Sequence, residues 1–253
     1  MDESLVYNIL LYAVFICSLA VFFVLFFIKA PYGRHYRKGW GLETNARLGW
    51  MIMESPAVFV MAFIFVIGSR TANTAAIVFF LIWMTHYIHR AFIYPILMRG
   101  GMKNFPLLLI IFALVFNSIN AYLNGRYLFY FSSPYSVSWL ARPPFMIGLA
   151  LFFTGLVVNI HSDSVLRKLR MMDGNGYSIP DRGFFRFVSN PNYLGEMLEW
   201  IGWAILTWSP AGLAFALFTV ANLFPRALSN HRWYKKKFSD YPQDRKILIP
   251  FIY

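Results

Sequence analysis

The sequence predicts an all-α integral membrane protein: a single bundle of seven transmembrane helices, N-terminus outside and C-terminus cytoplasmic. Three observations carry that expectation. Of the 253 residues, 58% are hydrophobic and only 13% charged, too apolar for a domain with a solvated surface. Apolar runs near 5–28, 50–68, 74–98, 105–123, 143–161, 194–208 and 211–226 each approach the roughly 20 residues that a helix needs to cross hydrocarbon. When the basic residues are assigned to alternate ends of those runs, every Lys and Arg except Arg70, Arg126 and Arg142 falls on one side. Positive loops stay cytoplasmic, so the termini lie on opposite sides and the number of spans is odd. The same distribution places the net charge of +12 at a membrane face and argues against a nucleic-acid partner.

Along the chain, Asp2 and Glu3 precede the first run where a signal peptide would carry basic residues, and no small-residue cleavage site follows, so this run reads as a retained helix. Cys17, the only cysteine, sits inside it; a disulfide within the chain and a cysteine-rich metal site are both excluded. Residues 124–142, on the outer side, are rich in Tyr, Phe, Ser and Pro and are expected at the lipid interface. Residues 162–190 set Gly174, Asn175, Gly176, Pro180 and Gly183 among basic residues, which is turn chemistry over a positive surface. The sixth run is the weakest span because it is short and holds Glu196 and Glu199, with Pro210 making the turn to the seventh. The last helix is expected to continue past residue 226, and the apolar tail "KILIPFIY" to dock. No repeat and no long polar linker appears, so residues 1–253 form one domain.

Polar residues inside such spans are costly and face a cavity, a partner or a ligand. Asn192, Glu196, Glu199 and Trp203 follow steps of four, three and four, so they share one helical stripe. Asn159, Asp163, Arg167 and Arg170 form a second; Asn222, Arg226, Asn230 and Tyr234 form a third. Each stripe alone reads equally as interhelical hydrogen bonding. Their shared cytoplasmic end points to one hydrated pocket, and arginines beside a glycine-rich turn suit a phosphorylated ligand. No G-x-G-x-x-G or P-loop occurs, so a nucleotide here is not held by a Rossmann fold.

A second constellation lies deeper. Glu54 follows "GWMIM", and "HYIHRAFIY" puts Tyr87, Arg90 and Tyr94 on one helix face and His86 and His89 on another. Desolvation favours the neutral form of an acid at position 54, and a neutral acid beside a tyrosine hydroxyl can clamp a ketone oxygen that gains negative charge. A structural Glu–His or Glu–Arg pair is the alternative. The two histidines lack a flanking E-x-x-H carboxylate, so no metal site is predicted.

The segments "HYIHRAFIY", "NIHSDSVLRKLR", "GYSIP", "NPNYLGEMLEWIGWAILTWS" and "HRWYKKKFSDYPQDRKILIPFIY" together resemble the steroid 5-alpha-reductases, from about Pro31 to the terminus. A shorter part, "NPNYLGE" with H-R-x-Y, is shared in outline with sterol C14 reductases, enoyl-CoA reductases and isoprenylcysteine methyltransferases. The resemblance implies an NADPH-dependent 3-oxo-5-alpha-steroid 4-dehydrogenase. It implies that Glu54 and Tyr87 bind the 3-keto oxygen. It also implies that Asn159, Asp163, Arg170, Tyr177, Asn192, Glu196, Arg226, His231, Tyr234 and Arg245 belong to the cofactor region, with Arg170, near Arg99, Arg226 or Arg245, as the phosphate contact. On this reading Asn192 and Glu196 sit at the nicotinamide end, and Glu199 lines the same site or is structural. Helices within about 1–125 face substrate, and those within 143–253 face cofactor.

Two residues depart from the family pattern. Ser178 stands where relatives commonly have a basic residue, with Arg182 able to restore the charge, and Asn230 stands where they often have histidine. The implied partners are membrane lipids and an apolar steroid or enone lipid that enters from the bilayer, while NADPH enters from the cytoplasm. A bacterial inner membrane and an endoplasmic reticulum give the same charge asymmetry, and apolar composition carries no signal of oligomeric state. The alternatives are an S-adenosylmethionine-dependent methyltransferase, for which a ketone clamp has no use, and a small transporter, for which the inverted repeat of many such folds is missing.

Overall fold

The computed structural model describes residues 2–98, 104–172 and 177–253. Seven helices dominate it: α1 Glu3–Phe27, α2 Ala46–Ile67, α3 Thr74–Leu97, α4 Leu107–Phe131, α5 Pro143–Met172, α6 Pro191–Thr207 and α7 Pro210–Lys237. Six are long and apolar enough to cross a membrane. The exception is α6, whose 17 residues span about 25 Å against about 30 Å of hydrocarbon. It is the run already weakest in the sequence.

Helix starts follow local chemistry. Asp2 accepts from the Ser4 amide, Asn45 from the Arg47 and Leu48 amides, Asn73 from the Ala76 amide and Ser209 from the Gly212 amide, each serving N–H groups that lack partners in a first turn. Two short strands, β1 Glu43–Asn45 and β2 Asn104–Pro106, pair antiparallel and lead directly into α2 and α4, so those helices start from the same end of the bundle. Pro56 lies inside α2 and has no N–H for the Ile52 carbonyl. The Ser55 hydroxyl donates to that carbonyl instead, at 3.0 Å. In α3 a π-helical turn spans His89–Ile93, a local widening often found at functional sites.

Apolar faces divide between core and lipid. In α1, Tyr7, Leu11 and Val14 pack on Leu123, Ala211 and Ala214, while Tyr12, Ile16, Leu19, Phe23 and Phe27 stay exposed. A chain in water would not leave such a face bare, and a multi-pass membrane protein covers it with lipid.

The helices α5 and α6 pack backbone against backbone. Gly148 and Gly155 on one helix face Gly202 and Gly195 on the other. A Cβ at Gly202 would meet the Gly148 carbonyl oxygen and the Phe152 amide nitrogen, both at 2.6 Å. Small residues permit this backbone approach, and dispersion then holds the pair without any hydrophobic drive from water.

Two expectations change in the structure. The helix α5 runs on through "HSDSVLRKLR" to Met172, so the first part of 162–190 is helical; its arginines and Asp163 keep helical spacing beyond the apolar run. Gly174, Asn175 and Gly176 lie outside the described residues. Segment 132–142 turns partly inward from the lipid interface: Tyr135 donates to the Thr207 carbonyl at 2.6 Å and Trp139 to the Leu206 carbonyl at 2.9 Å. Both satisfy acceptors that the end of α6 leaves open. The C-terminal tail docks as expected, with the Ser189 amide donating to the Lys246 carbonyl at 2.8 Å and Leu248 buried against Met197, Leu223 and Ala227.

Gly202→Ala should lower stability by about 1–3 kcal/mol, because the new methyl group meets backbone atoms that cannot swing aside. Thermal unfolding in detergent reads this directly; a midpoint equal to that of the parent would show that the two helices are free to separate.

Candidate functional site

One cavity of about 450 Å³ runs between the basic end of the bundle and its middle. Its apolar part is lined by Val21 and Leu25 of α1, Phe112 and Phe116 of α4, and Phe215 and Phe218 of α7. Its polar part gathers Glu54, Tyr87, Asp163, Arg170, Asn192, Glu196 and Arg226.

Where the two parts meet, Glu54 and Tyr87 share the wall. The Glu54 carboxyl accepts from the Asn117 amide at 3.2 Å, and the same amide donates to the Met53 carbonyl at 2.7 Å. Tyr87 is 2% exposed, with its ring 4.7 Å from Trp83 and 5.5 Å from Trp200. Asn120 stands beside the Tyr87 hydroxyl and accepts from Asn124, which in turn accepts from Trp203. The amides at 117, 120 and 124 went unread in the sequence, although their steps of three and four pass the register test that found the other stripes.

Toward the basic end, Arg90 joins the stripes. It donates to Asp163 and Glu196, both at 3.3 Å, and its guanidinium lies 4.8 Å from the Trp50 ring and 4.9 Å from Tyr94. Asn192 donates to the other Asp163 oxygen at 3.3 Å. Arg226 lies 4.7 Å from the Tyr32 ring and donates to Asn222 at 3.3 Å.

The remaining sequence-derived residues stand behind this wall. Asn159 donates to the Asn192 carbonyl at 2.9 Å, which couples α5 to the start of α6. His231 meets the Ser189 hydroxyl, which also meets Tyr241. Arg245 donates to the Pro180 carbonyl at 2.8 Å. Tyr177 packs edge-on against Trp233, and with Tyr234 these rings surround Arg34, whose guanidinium is 4.5 Å from Tyr234. Arg99 lies outside the described residues.

Two placements go beyond the sequence reading, which leaves Glu199 either lining the site or structural. Glu199 does not line the cavity: it is fully buried and meets His86 Nδ1 at 2.5 Å, because three residues of helix turn it about 60° from Glu196 and toward α3. His86, expected on a face apart from Tyr87, lines the same cavity, since adjacent residues are only about 100° apart and the cavity wraps that much of α3.

Residues 28–42 close the basic end. The first of them, Lys29, Tyr32, Arg34 and His35 among them, line the cavity. The His35 Nε2 meets the Asn230 side-chain oxygen at 3.1 Å, and Asn230 donates on to Asn190 at 3.0 Å.

A family model described as 3-oxo-5-alpha-steroid 4-dehydrogenase matches residues 103–253. Steroid 5-alpha-reductase DET2 of Arabidopsis thaliana is 41% identical over 233 residues, covering 90% of this chain and 89% of that protein. The 3-oxo-5-alpha-steroid 4-dehydrogenase 1 of Homo sapiens is 42% identical over 227 residues, covering 89% and 87%. The tomato DET2 (Solanum lycopersicum) is 40% identical over all of this chain. The chain belongs to the 3-oxo-5-alpha-steroid 4-dehydrogenase family, oxidoreductases acting on a CH–CH bond. These relatives do not favour the methyltransferase or transporter alternatives.

Burial, with Arg34 and Lys29 adding to it, holds His35 below its ordinary value of 6.5, partly opposed by its bond to Asn230. The docked segment therefore prefers the neutral ring. Well above pH 6.5 docked and released forms bind protons alike, and as the pH falls through 6.5 toward the lowered value the released form takes up a proton first. Stability of the docked segment is thus full above that window and declines through it. Hydrogen exchange across residues 28–42, corrected for intrinsic rate, should rise between about pH 7.5 and about pH 5.5. His35→Gln should remove the rise; an unchanged pH dependence in that variant would show that another group governs docking.

Proposed function

We propose that this protein reduces the 4,5 double bond of 3-oxo-4-ene steroids, or of a similar enone lipid, with NADPH as the reductant. The observation that carries this reading is that Glu54 and Tyr87 share one cavity with Asp163, Asn192, Glu196 and Arg226. A ketone clamp and a polar, arginine-bearing chamber are thereby continuous.

The residues fit a phosphorylated nicotinamide cofactor. Arg34 Nη1 is buried and has no hydrogen-bond partner among the described residues, a guanidinium donor still open to an anion. Arg170 and Arg226 line the same end, and Asn192 and Glu196 supply amide and carboxylate groups suited to a carboxamide. When bound, NADPH supplies the hydride for C5.

The chain's own groups do the rest. Glu54 as a neutral acid and Tyr87 as a phenol donate to the C3 oxygen, drawing charge from the distal alkene carbon and holding the oxyanion as it develops. Asn117 fixes the Glu54 carboxyl, leaving it one oxygen for substrate. The aromatic wall of Phe112, Phe116, Phe215 and Phe218 takes the apolar rings and keeps water from the carbonyl.

On this reading the chain is one domain, with substrate-side helices within about 1–125 and cofactor-side helices within 143–253. All seven helices cross the membrane, the short α6 being shielded by its neighbours. The N-terminus is outside, the C-terminus cytoplasmic, and the cofactor enters from the cytoplasm. The steroid enters laterally, where α1 and α4 contribute apolar wall to the cavity. The positive-inside rule and the basic end of the cavity support that orientation.

Each clamp donor should contribute about 2.7–4 kcal/mol to the transition state, so Glu54→Gln or Tyr87→Phe should cut turnover roughly 10²–10³-fold with NADPH binding nearly intact. Mass spectrometry of steroid products, beside a cofactor titration, checks both halves. Parent-level turnover in both variants would end the clamp assignment.

A further inference from the structure

The clamp and the hydride leave one atom without a source. Addition of hydride at C5 puts an enolate across C3 and C4, and C4 must then gain a proton. Glu54 and Tyr87 are committed to the oxygen.

Beside them lies a buried proton carrier with no part in holding the carbonyl. His86 precedes Tyr87 in α3, lines the same cavity, and has its ring 4.9 Å from the Tyr87 ring. Its Nδ1 is taken by Glu199 at 2.5 Å, and among the described residues no hydrogen bond reaches its Nε2. Trp200 packs edge-on against the imidazole at 4.6 Å and fixes its plane. Glu199 is 0% exposed, and its second oxygen, Oε1, is buried with no partner among the described residues. An ionised carboxylate would leave that oxygen charged and unsatisfied, whereas a neutral acid leaves only a carbonyl-type acceptor. The neutral acid therefore donates to Nδ1, which sets the tautomer that carries its proton on Nε2. Glu196, Arg90 and Asp163 are the charged groups that face the pair.

We propose that His86 is the proton donor to C4 and that Glu199 positions and recharges it. This rests on the reductase reading above. In the step, the C4–H bond forms as the Nε2–H bond breaks, and the Glu199 O–H proton passes to Nδ1. The imidazole stays neutral in its other tautomer, the enolate charge ends on the Glu199 carboxylate, and the C3 carbonyl is restored. Water entering through the hydrated end of the cavity returns a proton to the pair after release. Across the double bond, one hydride and one proton have been added.

The test uses the full-length protein in detergent with NADPH and a 3-oxo-4-ene steroid in D2O, and reads both turnover and the face of C4 that receives deuterium. The parent should label one face. His86→Gln should lose roughly 10²–10⁴-fold in kcat, with KM and NADPH binding within about twofold. It should label both faces, and added imidazole should recover part of its rate. Glu199→Gln should lower kcat while keeping the labelled face, since the imidazole is still present. Thermal unfolding identifies a variant that fails to fold, and in that case the parent's labelling alone decides, because equal labelling of both faces means that bulk water protonates C4. Equal labelling in the parent, or a folded His86→Gln that keeps both rate and face, overturns this assignment alone. A parent that reduces no such steroid overturns it together with the reductase reading.

Discussion

Arg90 is the interaction on which the rest of the site depends. It is a guanidinium inside an apolar bundle, 13% exposed, and it meets Asp163 of α5 and Glu196 of α6 at equal distances of 3.3 Å. A single charge of this kind is intolerable in hydrocarbon, and two carboxylates without their cation would repel each other across the same space. Removing Arg90 leaves both carboxylates without their cation, whereas removing either carboxylate leaves Arg90 tied to only one of the two helices. The network therefore fixes how α3, α5 and α6 meet at the basic end, and with them the width of the cavity.

That network works only because α5 and α6 already touch. Gly148, Gly155, Gly195 and Gly202 bring the two backbones together, and the Asn159 bond to the Asn192 carbonyl closes the contact at its basic end. At the other end, the few basic residues are held by local partners. Arg70 donates to the Leu128 and Tyr130 carbonyls and to Ser132, and Arg126 forms a pair with Glu3. The two ends thus differ in kind. One consumes its charges in holding helix termini, and the other keeps Arg34, Arg170 and Arg226 around a chamber.

A division of labour among the carboxyl groups follows from position alone. Glu54 faces the cavity where its apolar and polar parts meet, with an amide on one oxygen. Asp163 and Glu196 are tied to a guanidinium at the basic end. Glu199, only three residues past Glu196, meets an imidazole and nothing else polar among the described residues. The same chemical group thereby serves as cavity-lining acid, charge anchor and histidine partner.

The sequence by itself determined the membrane class, the course of the helices and the stripes of polar residues, because apolar length and the 3.6-residue period are local properties that any one segment carries. Asp163, Arg170, Asn192, Glu196 and Arg226 were legible for that reason, and Asn117 was missed only because its stripe went unread. What a polar residue meets was not legible. Arg34 comes from a single short 3-10 turn outside the apolar runs, yet it ends among Tyr177, Trp233 and Tyr234, about 140–200 residues away along the chain. The choice between Glu196 and Glu199 depended on a 60° turn of one helix relative to its neighbours. Only tertiary packing decided it, since burial and pairing belong to the faces that two segments present to each other and are written in neither segment alone.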